Sequence, residues 1–360
     1  MTKLLSGASL CFCLLLSIGV RAENFSDVFV FGDSLSDTGN LAAFVDINLP
    51  SPPFPGPQPI GTVGLCNPVD IFVLGRRCDD LFFMESRVSN GPVAVEILAK
   101  RLGFDELKPS LYFLPLGARP FVGTNYAVAG ATARMPDLGH LQSQVSGFLA
   151  DNLFLAPPGA LYIVMIGGND VIDAVKALPT SYEASRDIIA GAVGEIGDQI
   201  NLLIARGARK FLVANSVNVG RVPAARATAE AAGIPPAILT LIATHLTREF
   251  NHQLAARLEQ IQENSLVEIR EFDLFRSFEW IRLTAKVLQL NTVDACFDSE
   301  TYRDFSMLMA ERRFHPDCAP EAPDGPKFER FLFFDDLHPT GQVHAALGNA
   351  LFRSARRLID

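Results

Sequence analysis

Three short apolar runs recur along this chain, each running into a glycine or a polar cluster: "DVFVFG" at 27–32, "ALYIVMI" at 160–166 and "KFLVANS" at 210–216. A strand with one wet face alternates apolar with polar residues, whereas a strand covered on both faces is apolar throughout. These runs are therefore predicted to be buried strands of a parallel sheet. Helical patterns separate them. "NGPVAVEILAKRLG" (90–103) has Pro92 near its start, Val95, Leu98 and Ala99 on one face, and Gly103 as a stop. Ile189, Val193, Ile196, Ile200 and Leu203 recur at helical spacing within 185–207, residues 236–263 are amphipathic, and 340–359 reads as a closing helix. "SLVEIREFDLF" (265–275) reads as a further strand. Strands alternating with helices predict an α/β fold, a parallel sheet with helices on both faces, here as one domain over residues 23–360.

With 49% hydrophobic and 20% charged residues, the chain has ample material for such a core. Its formal net charge is −9 and no Lys/Arg run appears, so nucleic acid is not an expected partner. Residues 1–22 read as a signal peptide: Lys3 leads, "LCFCLLLSIGV" is a short apolar core, and Val20-Arg21-Ala22 offers small cleavage positions. This predicts a secreted or periplasmic protein. Leu10 and Phe12 precede Cys11 and Cys13, which argues against a lipid anchor, and no other stretch reads as a membrane span. "LPSPPFPGPQP" cannot be a regular helix or central strand, so about 41–90 is expected to be a surface insertion.

Four cysteines remain beyond the leader, Cys66, Cys78, Cys296 and Cys318. An even number in an oxidising compartment suggests disulfides, and four allow three connectivities. The local pairs Cys66–Cys78 and Cys296–Cys318 are preferred, since each closes a loop in a region without strong periodicity. No CxxC occurs, and His338 and His344 lack standard ligand spacing, so no metal is expected.

In open parallel sheets, ligands bind beyond the carboxyl ends of the strands. The first run feeds "GDSLSDTGN", where Ser34 is either a nucleophile or a cap. A serine hydroxyl needs a base to take its proton, a carboxylate to orient that base, and donors for the developing oxyanion. Of the six histidines, His338 is the candidate base, because it follows an apolar run and Asp335 lies three residues before it. His245, His252 and His344 fall in helical stretches and are expected to be exposed. Asp336 is the competitor for Asp335; Tyr126, Phe331, Phe333 and Phe334 are expected in the core.

The chain resembles the GDSL lipases and esterases, the SGNH hydrolases. Four blocks in the family's order carry the likeness: "FGDSLSDTGN" with Ser34, "GTNYAVAGAT" (123–132), "IGGND" (166–170) and "DDLHPT" (335–340). "RVSNGPVAVEILAKRLG" (87–103) and "NSVNVGRVPA" (215–224) look familial without an assigned role. The resemblance implies a three-layer α/β/α sandwich of flavodoxin-like type and a cofactor-free serine esterase or lipase. Its triad would be Ser34, His338 and Asp335; the oxyanion hole would use the N–H groups of Ser34 and Gly130 and the Asn169 amide. The family often has two glycines at the second block where this chain has Ala129 and Gly130, and alignment on Asn125 and Thr132 leaves Gly130 as the donor. Asn169 could instead cap the following helix, a role better suited to Asp170. Substrates would be small-molecule or lipid esters, including phospholipids or lysophospholipids, with transient contact at lipid surfaces. Carbohydrate O-acetyl esters, acyl transfer to an alcohol, and a non-catalytic binding module are the alternatives.

Overall fold

The computed structural model describes residues 25–41, 87–119, 121–297, 314–319 and 326–359. The leader, most of the Pro-rich segment, Cys66 and Cys78 lie outside them. Each apolar run forms a strand where expected: β1 (Val28–Gly32), β2 (Leu161–Met165) and β3 (Lys210–Ala214), with β4 (Glu268–Phe272) beside them. They form one parallel sheet in that order, in continuous register from Val28–Leu161 and Leu161–Lys210 to Lys210–Glu268. Beyond β1, residues 124–128 add an edge segment: the N–H groups of Tyr126 and Val128 donate to Val30 and Gly32 carbonyls at 2.7 and 3.1 Å, and Val30 N–H donates to Thr124. The spatial order is thus (124–128)-β1-β2-β3-β4, so β1 is flanked on both sides by later segments. The loop after β1 stands at a topological switch point, where doubly wound sheets hold ligands.

Eight helices of the described residues cover the sheet: α1 (Ala94–Leu102), α2 (Leu141–Asp151), α3 (Gly168–Ala177), α4 (Tyr182–Ala205), α5 (Pro223–Ala231), α6 (Pro236–Glu263), α7 (Leu274–Val287) and α8 (Gly341–Ala355). The period-2 geometry of a strand sorts each run between two cores. Phe29, Phe31, Tyr162, Val164, Phe211 and Val213 point to one face, under α2, α3, α4 and α6. Val28, Val30, Leu161, Ile163 and Leu212 point to the other, under α1, α7 and α8. The result is a three-layer α/β/α sandwich. A short parallel pair, β5 (Asn291–Ala295) with β6 (Phe331–Phe333), stands apart from the main sheet. A disulfide joins Cys296 to Cys318, the local pairing expected.

The boundaries follow local chemistry. Gly103 ends α1 at φ 97°, and the Ser181 hydroxyl accepts the Ala184 N–H to start α4. β4 is half exposed, which explains its mixed sequence. Helices α2, α5 and α7 and strands β5 and β6 were not expected from periodicity. One expectation is corrected: α4 is long and apolar enough, at a mean hydropathy of 1.4, to cross a membrane by length and composition. Its regularly spaced apolar residues, from Ile189 to Leu203, are instead buried in the core against the sheet. Tyr126, Phe331, Phe333 and Phe334 are buried core residues, as expected.

Candidate active site

The carboxyl ends of β1 and β2 deliver the two polar blocks that the sequence singled out. β1 ends at Gly32 and the chain turns at once through Asp33 and Ser34. Gln144, fully buried on α2, fixes that exit: its Oε1 accepts the Gly32 N–H and its amide donates to the Gly32 and Gly139 carbonyls, each at 2.8 Å. β2 ends before Gly167, whose φ of 120° and contact with the Phe250 ring leave no room for a side chain. That left-handed residue starts α3 abruptly and brings Asn169 to the sheet edge.

The third element is the loop between β6 and α8. The Asp335 carboxylate accepts the backbone N–H groups of Leu337 and His338 at 2.9 and 2.7 Å, closing a tight turn. The same carboxylate lies 2.8 Å from His338 Nδ1. On its other side, His338 Nε2 is 2.8 Å from Ser34 Oγ, a contact between residues 304 positions apart. The loop is bolted to the segment before α1: the Ser89 hydroxyl donates to the Pro339 carbonyl at 3.1 Å, and Asn90 Oδ1 accepts the Gly341 N–H at 2.8 Å. This gives the block at 87–103 the positioning role that the sequence left unassigned.

The second block is held by polar residues of the first. Asp37 accepts the N–H groups of Gly39, Asn40 and Leu41, and that of Ala129 at 2.8 Å. The Asn40 amide donates to the carbonyls of Asn125 and Ala127, and Asn125 donates back to the Ser36 carbonyl. Gly130 therefore sits on an anchored turn, at φ 82°. Among the described residues, neither its N–H nor that of Ser34 has a protein acceptor. Asn169 donates one amide hydrogen to the Ala131 carbonyl at 2.8 Å, which joins the second and third blocks and leaves its other hydrogen available.

Two expectations are corrected here. Asp170 does not cap α3; Gly167 occupies the cap, and the buried Asp170 carboxylate accepts Ala133 N–H at 2.7 Å and Arg134 N–H at 3.3 Å. His344 is not exposed but 1% accessible, with Nδ1 accepting the Ala94 N–H at the start of α1. It lies on the face of α8 that packs on α1, a tertiary choice that helical periodicity does not reveal. His245 and His252 are exposed, as expected.

Electrostatics single out one more group. Burial disfavours the His338 imidazolium, but the Asp335 carboxylate and its hydrogen bond, with Asp33 adding to them, prevail, so the imidazole titrates above its ordinary 6.5. Asp33 is itself buried. That burial pushes its carboxyl up to about 7, against the Leu35 N–H and His338, with Asp170 adding to the rise. Burial, with the His338 charge adding to it, holds His344 down to about 3.

Ser34, Asn169 and His338 line one cavity of about 590 Å³, whose other walls are mainly apolar: Ile172, Val217, Val219, Val222, Leu274 and Phe278 among them. The block at 215–224 thus supplies cavity wall. Of the residues expected at the site, the structure gathers Ser34, His338, Asp335 and Asn169, and puts Gly130 on the turn tied to Asn169 through Ala131. Asp33, Gln144, Asp37, Asn40, Ser89 and Asn90 were missed; all but Gln144 lie inside the quoted motifs, where polar residues beside a nucleophile turn were the available signal.

The family model for GDSL-like lipase/acylhydrolase matches residues 28–351. The chain is similar to a phosphatidylcholine-sterol acyltransferase of Aeromonas hydrophila, 25% identical over 94% of this chain and 93% of the relative. It is similar to a GDSL esterase/lipase of Arabidopsis thaliana, 24% identical over 95% and 92%. A third relative, 25% identical over 90% and 70%, is described as an inactive GDSL esterase/lipase-like protein of Arabidopsis thaliana.

Proposed function

The chain belongs to the GDSL-like lipase/acylhydrolase family and is a carboxylic ester hydrolase, and we propose that it works through an acyl-enzyme on Ser34. The observation that carries this reading is the continuous line Asp335–His338–Ser34, with 2.8 Å at both contacts. In this reading His338 Nε2 takes the Ser34 proton as Oγ attacks the ester carbonyl. Asp335 holds Nδ1–H and stabilises the imidazolium that forms. The unpartnered N–H groups of Ser34 and Gly130 and the second hydrogen of the Asn169 amide receive the charge on the carbonyl oxygen. His338 then returns its proton to the leaving alcohol. Water, activated by the same imidazole, attacks the ester carbon, and Ser34 leaves with its proton restored.

The apolar cavity beside Ser34 supports an acyl chain over the small acyl group of a sugar acetate. Lipid esters, phospholipids included, are the proposed substrates. Acyl transfer to an alcohol is the second reading, favoured by the likeness to the Aeromonas acyltransferase over nearly both full lengths. We place the protein in a secreted or periplasmic setting, with residues 1–22 as its leader and 23–360 as one catalytic domain. The Cys296–Cys318 disulfide supports an oxidising compartment. Transient contact with lipid surfaces belongs to the same proposal.

Hydrolysis of p-nitrophenyl esters from acetyl to palmitoyl, by wild type and Ser34→Ala in parallel, tests the reading. The expected result is activity that the substitution removes. Wild-type turnover surviving in Ser34→Ala would overturn it.

A further inference from the structure

The cavity at Ser34 does not end at its own apolar wall. A second cavity of about 420 Å³ lies between α3, α5 and α6, lined by Val175, Ala225, Thr228, Leu239 and Ala243 among others. The two share four residues: Ile172, Val219, Val222 and Leu337. One of these comes from α3, two from the turn leading into α5, and one from the loop between Asp335 and His338. The shared residues form a neck, with the nucleophile on one side and an apolar compartment on the other. The neck is fixed, because the Ala224 N–H at the start of α5 donates to the Asp336 carbonyl at 3.0 Å. Leu337 is 38% exposed although it stands between the triad acid and base. A large apolar side chain held open at such a place is what an apolar occupant would cover.

We infer that the two cavities are one acyl channel. This rests on the reading of Ser34 as the acylated residue. With the ester carbonyl at Ser34, the first methylenes lie against Val217 and Phe278. The chain then passes between Ile172, Val219, Val222 and Leu337, and its end lies between α3, α5 and α6. Chains too short to reach the neck leave the distal compartment unused, so the neck and the α5 wall set acyl-length preference. Continuity with the nucleophile commits the channel to the acyl part of the substrate, since the leaving group departs on protonation while the acyl chain stays covalently held.

Each buried methylene contributes about fourfold to kcat/KM when its transfer from water is realised in the transition state. Wild-type kcat/KM for p-nitrophenyl esters should therefore climb from butyryl to dodecanoyl. Ala225→Phe fills the distal compartment from a half-buried helical position; Thr228→Trp does so from an exposed position on the same wall, with little risk to the core. Expulsion of three or four methylenes lowers the dodecanoyl-to-butyryl ratio of kcat/KM by roughly 100-fold in each variant. A ratio that both variants leave within a few-fold of wild type would overturn the channel. So would a wild type whose preference peaks at acetyl or butyryl. Butyryl hydrolysis that survives Ser34→Ala would remove the channel's starting point, a result distinct from an unchanged ratio in an enzyme that still needs Ser34.

Discussion

Replacing Asp33 with asparagine exposes what a buried carboxyl beside the nucleophile costs. Asp33 is 4% exposed, its carboxyl accepts the Leu35 N–H at 3.0 Å, and burial lifts its pKa from 3.8 to about 7. A folded-state value above the unfolded one means that the unfolded chain releases this proton first as pH rises. The group's contribution is intact below about pH 4 and is lost as pH climbs through about 7. A rise of about three pH units corresponds to about 4 kcal/mol. Asparagine keeps an oxygen for Leu35 and carries no charge. Its buried amide hydrogens add an offset of about 1–3 kcal/mol that does not vary with pH. The variant should therefore gain about 4 kcal/mol on wild type between pH 4 and pH 8, read as the difference in urea unfolding free energy at each pH. Ionised Asp33 also helps to raise the His338 pKa, so the acid limb of kcat/KM should move to lower pH in the variant. A stability difference flat with pH, with an unmoved acid limb, would refute the argument.

Three further outcomes follow from single contacts. Gln144→Ala leaves the buried Gly32 N–H and the Gly139 carbonyl without their Gln144 partner; a loss of about 2–6 kcal/mol is expected in chemical denaturation. Asn169→Ala should lower kcat by roughly 100- to 1000-fold with little change in KM, measured on a short-chain ester. Replacing both Cys296 and Cys318 with serine opens a crosslink across a sequence separation of 22 and should cost about 3 kcal/mol, read as a lower urea midpoint at constant m-value. Because the Cys296 N–H donates to the Phe333 carbonyl on β6, the same variant should also loosen the strand that leads to His338.

What the sequence displayed of this fold was its covered strands. β1 to β3 are apolar throughout because two helical layers bury them, and such runs are conspicuous. β4 and the edge segment 124–128 lie at the sheet margins, where partial exposure mixes the composition; β4 still read as a strand, while 124–128 is visible only through its hydrogen bonds to β1. Asp335 and His338 were legible as a pair because their contact closes within one turn. Ser34 was legible only by the company of three other blocks, since no local signal reports a partner 304 residues away. Gln144 had no signal at all. It is a polar residue on an amphipathic helix, and only tertiary packing turns its amide toward Gly32. His344 failed for the same reason in reverse, a polar residue whose helix face happens to be covered by α1. One of the similar proteins is described as inactive, so family likeness and the site's chemistry are separate matters; the Asp335–His338–Ser34 line is the part of the site on which the proposed chemistry stands.

The most direct test of the central proposal is covalent. A fluorophosphonate ester mimics the acyl transition state and is displaced only by an activated serine, releasing fluoride as its phosphorus bonds to the hydroxyl oxygen. Labelling the wild type and mapping the adduct by peptide mass spectrometry should place a single modification on Ser34, greatly slowed by His338→Ala and absent in Ser34→Ala. An adduct on another residue, or labelling of Ser34 at the same rate without His338, would contradict the account.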